Sequence, residues 1–439
     1  MARPGFGTDG VRGVANTELT AELAVGLGRA AAQVLGAGAF VVGRDTRQSS
    51  TMLQAALSAG MASGGADVVD LGVLPTAGVA FVAERRGLPA AMVSASHNPY
   101  RDNGIKLFDA SGVKLTCELE TEVEAALERP RPAARVGSLR SDAVAVREYR
   151  HHLVESLEGR RLDGLHVVVD CANGAASAIA PGVLAELGAS VDALSTDPDG
   201  TNINEGCGST QPQHLAEAVA ARHADLGLAL DGDADRLVAV DHTGAVCDGD
   251  VLLAIFATDL EARGQLPGDA VVVTVMTNLG FRLAMGRRGI SVHETPVGDR
   301  HVLAALDGSG LALGGEQSGH IVFRRLATTG DGVLTGILLA DAVVRAGRPL
   351  AELADGLVER VPQVLVNVAV REPGRLADAG GVWETVAEVE RELGGAGRVL
   401  LRASGTEPLV RVMVEAPTAE VAENAAVRLS KAVEAALAG

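Results

Sequence analysis

A chain of 439 residues is too long for one hydrophobic core and is expected to divide into several domains. Hydrophobic residues make up 47% and aromatics only 2%, so Ala, Val and Leu must fill the cores, and interfaces built on large aromatic anchors are excluded. The formal net charge of −18 excludes nucleic acid as a partner and requires any phosphate site to be a local island of Arg and Lys.

The cations are almost all arginine; Lys106, Lys114 and Lys431 are the only lysines. A lysine inside a chemical motif therefore carries weight, since lysine can give up its proton and arginine cannot. The four cysteines, Cys117, Cys171, Cys207 and Cys247, are scattered with no CxxC pair and read as reduced thiols. The N-terminal MARPGFGTDGVRG lacks the apolar stretch of a signal peptide, and no apolar run reaches the length of a membrane span. The expected location is the cytoplasm, without a membrane partner.

Along the chain, FGTDGVRG (6–13) comes first, a Gly-rich opening that offers Arg12 as a phosphate contact. Read alone, it is equally what a loose terminus looks like. AFVVGRDTR through ADVVDLG (39–72) then sets a β-branched run, a turn, a helical segment, Gly and a second apolar run in succession. That order is a βαβ unit, and it returns at 165–194 and 270–298. Three similar α/β domains with mixed sheets follow from the recurrence.

Between the first two units lies SASHNPYRDNGIK (94–106), entered from the strand-like PAAMV. Its serines thus stand at the carboxyl end of a strand, where open α/β sheets bind ligands. Turn chemistry explains the Asn, Gly and Pro of this loop and leaves His97 and Lys106 unexplained. Ser94 reads as structural. ERPRPAAR (128–135) is a surface connection.

DGDADR, residues 231–236, sits between the strand-like ADLGLAL and LVAVD. Alternate residues of an extended loop face the same way, so Asp231, Asp233 and Asp235 converge, and three carboxylates together call for a cation. Oxygen-only ligation suits Mg²⁺. An EF-hand would need Gly and Glu where Arg236 and His242 stand, and helices where strands stand. A haloacid-dehalogenase-type phosphatase, with Asp231 as nucleophile, expects Thr or Val at Asp235 and stays open as an alternative of a different class.

GGEQSGH (314–320) brackets Glu316, Ser318 and His320 with Gly, and their groups suit sugar hydroxyls. After VPQVLVNVAV the order changes to helix, strand, loop, strand and a long amphipathic helix, the order of a smaller α+β domain. Its loop RASGTEPLVR (402–411) sets Ser404, Gly405 and Thr406 between Arg402 and Arg411. Backbone N–H groups and hydroxyls there form a nest, with two guanidinium forks for a phosphate. Domain segments of 1–155, 156–249, 250–364 and 365–439 are expected.

Together these five motifs, in this order, resemble the α-D-phosphohexomutase superfamily over essentially the whole chain. FGTDGVRG, SASHNP, VGDR (297–300) and GEQSGH are most similar to the branch that interconverts glucosamine 6-phosphate and glucosamine 1-phosphate, with Gln317 as a distinguishing position. Mutases acting on glucose or mannose phosphates are the alternative within the superfamily. The resemblance implies four domains around a central cleft, and phosphorylation of Ser96 in the active enzyme. It implies one Mg²⁺ on Asp231, Asp233 and Asp235 with Ser96, a phosphate loop of Arg402, Ser404, Gly405, Thr406 and Arg411, and a sugar loop of Glu316, Ser318 and His320. Arg12, Lys106 and Arg236 then neutralise the moving phosphoryl group, and Lys106 or His97 is the acid/base group. A hexosamine 1,6-bisphosphate is the implied intermediate and activator, a homodimer the implied assembly, and supply of UDP-N-acetylglucosamine for cell-wall precursors the implied role.

Overall fold

The apolar, β-branched runs become strands of four sheets in the computed structural model, which describes residues 4–7, 9–404 and 408–437. The first sheet holds β1 (Phe6–Gly7), β2 (Gly10–Val14), β3 (Ala39–Arg44), β4 (Asp67–Val73), β5 (Ala90–Val93), β6 (Asp102–Phe108) and β7 (Leu139–Ser141), in the order β1-β2-β6-β5-β3-β4-β7. β5, β3, β4 and β7 are parallel neighbours, and β1, β2 and β6 join antiparallel. The second holds β8 (His166–Asp170), β9 (Ser190–Leu194), β10 (Leu226–Leu230), β11 (Leu237–Asp241) and β12 (Val246–Cys247), in the order β12-β11-β10-β8-β9. The third holds β13 (Ala270–Thr274), β14 (Ser291–Thr295), β15 (Leu313–Gly315) and β16 (Ile321–Phe323), in the order β14-β13-β15-β16. The last holds β17 (Gln363–Ala369), β18 (Arg398–Ala403) and β19 (Leu409–Glu415), all antiparallel with β19 in the middle.

The βαβ pattern at 39–72 yields the parallel pair β3 and β4 around the helix Gln48–Ser63. The pattern at 165–194 yields β8 and β9 around the helix Ala180–Glu186. A parallel pair needs a crossover of this kind, because a hairpin can only reverse the chain. The chain divides into two compact units, one running to Thr274 and resuming over His293–Asp355, the other holding Val275–Val292 and the chain from Gly356 on. Within the second unit, buried Glu415 of β19 explains the grouping. Its carboxylate accepts bonds from Asn278 Nδ2 at 3.0 Å, Leu279 N at 3.1 Å and Arg398 Nε at 2.5 Å.

The cores are aliphatic, as the composition requires. That of the first sheet is built from residues such as Leu27, Leu53, Leu57, Val68, Val93 and Ile105, with Phe40. Small residues substitute for bulk where two helices cross. A Cβ at Gly28 of the helix Ala21–Leu35 would lie 2.1 Å from the Leu57 carbonyl oxygen, and one at Gly60 would lie 2.1 Å from that of Val25. The two helix backbones therefore touch. The cysteines are free thiols. Among the described residues, no helix is long and apolar enough to cross a membrane.

Asp331 caps the helix Gly332–Ala346, accepting from Leu334 N at 2.9 Å, and Tyr149 Oη donates to its other oxygen at 2.9 Å. Burial pushes its carboxyl up to about 6, against bonds that favour the charge. The unfolded value is about 3.9. A carboxyl raised on folding contributes stability below its unfolded pKa that is lost as pH rises through the folded one. Asp331→Asn keeps a capping oxygen and has no charge to bury. Its stability relative to the parent should rise by about 3 kcal/mol between about pH 4 and pH 7. Urea unfolding across that range checks this; parallel pH profiles for the two proteins would contradict it.

Candidate functional site

β5 ends at Val93, and the chain turns through Ser94, Ala95 and Ser96. Ser96 is 1% exposed and has a φ of 54°, a left-handed conformation unusual for a residue with a side chain. Its Oγ donates to Asp231 Oδ2 at 2.5 Å and lies 3.4 Å from His97 Nδ1. Its carbonyl accepts from Arg47 Nη2 at 3.0 Å and Asn204 Nδ2 at 2.9 Å. Ser94, read as structural, bonds Asp45 Oδ2 at 2.7 Å and accepts from Ser96 N at 2.9 Å. His97 stays neutral at ordinary pH, because burial, with Arg236 and Arg12 nearby, lowers its imidazole to about 4.

β10 delivers Asp231, Asp233 and Asp235 to the same place, and one oxygen from each lies within 4.8 Å of the others. All three are buried. Asp231 uses Oδ2 for Ser96 and Oδ1 for the Arg236 backbone N–H at 3.2 Å. Asp233 Oδ2 accepts from Thr76 Oγ1 at 2.6 Å and Lys106 Nζ at 2.9 Å, and Lys106 reaches Asp235 Oδ2 at 3.3 Å. Burial and the two neighbouring carboxylates raise Asp231 well above the ordinary range. Burial also opposes ionisation of Asp233 and Asp235, but Lys106 outweighs it, aided by Thr76 at Asp233 and His320 at Asp235. In turn, burial would lower the Lys106 ammonium, and Asp233 and Asp235 raise it instead. Gly232 makes this meeting of loops possible, since a Cβ there would stand 2.6 Å from the Ser96 carbonyl oxygen.

Other expected residues surround this centre. Arg12 of β2 reaches Asp9 Oδ2 at 3.0 Å and Asn98 Oδ1 at 3.5 Å. Arg236 Nε lies 3.7 Å from Asp235 Oδ1. After β15, Glu316 accepts from Gly298 N at 3.1 Å and from Ser318 Oγ at 3.4 Å. His320 is buried, with Nδ1 3.7 Å from Asp235 Oδ2, and with Nε2 accepting from Gly330 N at 3.1 Å and lying 3.9 Å from Asp299 Oδ2. In the second unit, Arg402 of β18 stands directly opposite Arg411 of β19, and Ser404 N bonds the Leu409 carbonyl at 2.9 Å. Gly405 and Thr406 lie outside the described residues.

Sequence reasoning passed over Asp45, Arg47, Thr76, Asn204 and Lys114. Lys114, one of the three lysines, is buried and pairs with Asp9 Oδ1 at 2.8 Å and Asp299 Oδ2 at 2.5 Å. A signal existed for Asp45 and Arg47: in GRDTR they follow an apolar strand directly, as Asp231 does.

The chain matches four family models in order. These are the phosphoglucomutase/phosphomannomutase alpha/beta/alpha domain I over residues 3–133, domain II over 147–244, domain III over 248–361 and the C-terminal domain over 365–432. It is 53% identical over 423 residues to a phosphoglucosamine mutase of Symbiobacterium thermophilum, covering 93% of this chain and 94% of that one. It is 52% identical to one of Streptomyces avermitilis, covering 98% and 99%. Among solved structures, a phosphoglucomutase/phosphomannomutase family protein from Burkholderia thailandensis superposes with a TM-score of 0.82 at 26% identity, over 99% of this chain and 97% of that one. The N-acetylphosphoglucosamine mutase of Aspergillus fumigatus, solved with GlcNAc-6P and magnesium, shares the fold, with a TM-score of 0.70 at 19% identity over 99% and 96%.

The carboxylate cluster fits a divalent cation on its own chemistry. It offers oxygen donors only, and Asp233 Oδ1 and Asp235 Oδ1 are buried without a hydrogen-bond partner among the described residues. Mg²⁺ should therefore raise the melting temperature, and Asp233→Asn should remove that dependence while keeping a similar shape. Thermal unfolding with and without Mg²⁺ decides, and an unchanged Mg²⁺ shift in the variant would contradict the assignment.

Proposed function

The chain belongs to the phosphoglucosamine mutases of the phosphoglucomutase/phosphomannomutase family, it is a hexosamine-phosphate mutase, and we propose that Ser96 carries the phosphoryl group in transit. The observation that carries this reading is the bond from Ser96 Oγ to Asp231 Oδ2 at 2.5 Å, a hydroxyl held against the carboxylate cluster.

The proposed reaction runs in two balanced halves. Phospho-Ser96 gives its phosphoryl group to the free hydroxyl of glucosamine 6-phosphate or glucosamine 1-phosphate. A bond forms from phosphorus to the sugar oxygen, the bond to Ser96 Oγ breaks, and the proton of the sugar hydroxyl returns to Ser96. The resulting 1,6-bisphosphate then hands its other phosphoryl group back: a bond forms from phosphorus to Ser96 Oγ, the bond to the sugar oxygen breaks, and the Ser96 hydroxyl proton passes to that oxygen. His97 Nδ1, 3.4 Å from Ser96 Oγ, is placed to relay that proton. Mg²⁺ held by Asp231, Asp233 and Asp235 supplies positive charge to the phosphoryl oxygens when bound. Lys106, Arg236 and Arg12 add cations from the chain itself, and such pre-set charge provides most of the catalysis in phosphoryl transfer.

Glu316 and Ser318 are proposed to hold the sugar, and Arg402, Ser404, Gly405, Thr406 and Arg411 the phosphate that is not reacting. His320 supports Asp235 from the same sugar loop. A homodimer in the cytoplasm, feeding UDP-N-acetylglucosamine synthesis, completes the proposal. An Asp231-nucleophile phosphatase is less well supported, because the Ser96 hydroxyl stands against the cluster and the relatives of about 52% identity are phosphoglucosamine mutases.

Initial rates on glucosamine 6-phosphate and glucose 6-phosphate, with Mg²⁺ and a trace of the matching bisphosphate, should favour the amino sugar strongly. Ser96→Ala should abolish both conversions and leave the melting temperature near that of the parent. Substantial turnover in Ser96→Ala, or release of inorganic phosphate in place of isomerisation, would contradict the carrier role.

A further inference from the structure

We propose that Arg47 is a positioning residue for phosphoryl transfer, fixing the Ser96 backbone in the conformation that aims Oγ at the carboxylate cluster. The proposal rests on Ser96 as the phosphoryl carrier. Its starting point is the left-handed Ser96, with a φ of 54°. A residue with a Cβ stays there only where its surroundings over-determine it.

Those surroundings converge on two carbonyl groups. Arg47 is 1% exposed, and its Nη2 donates to the Ser96 carbonyl at 3.0 Å and the Asn98 carbonyl at 2.6 Å. Asn204 Nδ2 donates to the same two carbonyls, at 2.9 Å and 3.0 Å. The Ser96 carbonyl oxygen is also packed against Gly232, where a Cβ would approach to 2.6 Å. Two donors and a backbone wall leave the peptide after Ser96 one orientation.

Arg47 is itself fixed. Its Nη1 pairs with Asp45 Oδ2 and lies 3.4 Å from Ser94 Oγ, and its backbone N–H donates to Asp45 Oδ1 at 3.0 Å. Asp45 is held in turn by Ser50 Oγ at 2.5 Å and Ser94 Oγ at 2.7 Å. None of these bonds reaches an atom that reacts, so Arg47 acts through the backbone of Ser96. Arg47 follows β3 of the first sheet, whereas Asn204 follows β9 of the second. The serine is therefore aimed only where segments of both sheets meet.

Arg47→Lys keeps a positive charge and loses the planar fork whose Nη1 pairs with Asp45 while its Nη2 holds both carbonyls. The readouts are kcat and KM on glucosamine phosphates, the Mg²⁺ concentration for half activity, and the rate of Ser96 phosphorylation by glucosamine 1,6-bisphosphate followed by intact mass. Misplacement of the carrier should lower kcat and the phosphorylation rate together by about 100-fold, while KM and the Mg²⁺ requirement stay within about twofold. Asn204→Ala, which leaves the Asp45–Arg47 pair intact, should lower the same two rates by about tenfold. Unchanged rates in a folded Arg47→Lys protein would overturn the proposal, as would losses in kcat matched by losses in KM and Mg²⁺ affinity. If Arg47→Lys does not fold, unchanged rates in Asn204→Ala overturn it. Turnover surviving in Ser96→Ala overturns the carrier reading first and this proposal with it. Unchanged Arg47→Lys beside an inactive Ser96→Ala overturns this proposal alone.

Discussion

Three buried carboxylates on one short loop are the constraint around which the rest of the site is arranged. Asp231, Asp233 and Asp235 place oxygens within 4.8 Å of one another in a region closed to water, a costly arrangement unless each charge is answered. The chain answers with three unlike groups. The Ser96 hydroxyl bonds Asp231, Thr76 caps Asp233, and the Lys106 ammonium bridges Asp233 and Asp235. Asp233 Oδ1 and Asp235 Oδ1 have no hydrogen-bond partner among the described residues, and these oxygens suit a divalent cation. The same feature that would destabilise an ordinary core thus selects for a metal and brings a serine oxygen beside it.

Electrostatics on a larger scale explain how a chain of net charge −18 can handle phosphates. Its cations near the centre are threaded through acidic partners. From Arg12 the contacts run to Asp9, to Lys114 and to Asp299, every step a charged pair, and the His320 ring lies 3.9 Å from Asp299 Oδ2 and 3.7 Å from Asp235 Oδ2. Such a lattice holds side chains in fixed positions, at the expense of part of their charge. It suits groups that must be oriented for chemistry. Arg402 and Arg411 stand opposite each other on neighbouring strands of the second unit.

Much of this was legible in the sequence where the chemistry sits in consecutive residues. DGDADR and SASHNP carry their spacing in the chain, and the apolar runs before them mark the strand ends from which they project. The βαβ patterns at 39–72 and 165–194 were legible for the same reason, since burial of β3 and β8 on both faces leaves unbroken apolar runs. What could not be read is what depends on distant residues meeting. Thr76 finds Asp233 across 157 positions, and Asn204 finds Ser96 across 108. Lys114 stood out as a rare lysine, yet its partners Asp9 and Asp299 are named only by the fold. His320, whose ring suits a sugar hydroxyl, turns one nitrogen toward Asp235, a contact that no local spacing encodes.

In the proposed mechanism the phosphoryl group rests on Ser96 during turnover. The protein should be incubated with Mg²⁺ and glucosamine 1,6-bisphosphate, quenched in acid, digested and mapped by mass spectrometry. One phosphoryl group per chain is expected, on Ser96, lost again when glucosamine 6-phosphate is added. Phosphate found on Asp231, or a chain that turns over with Ser96 unmodified throughout, would contradict it.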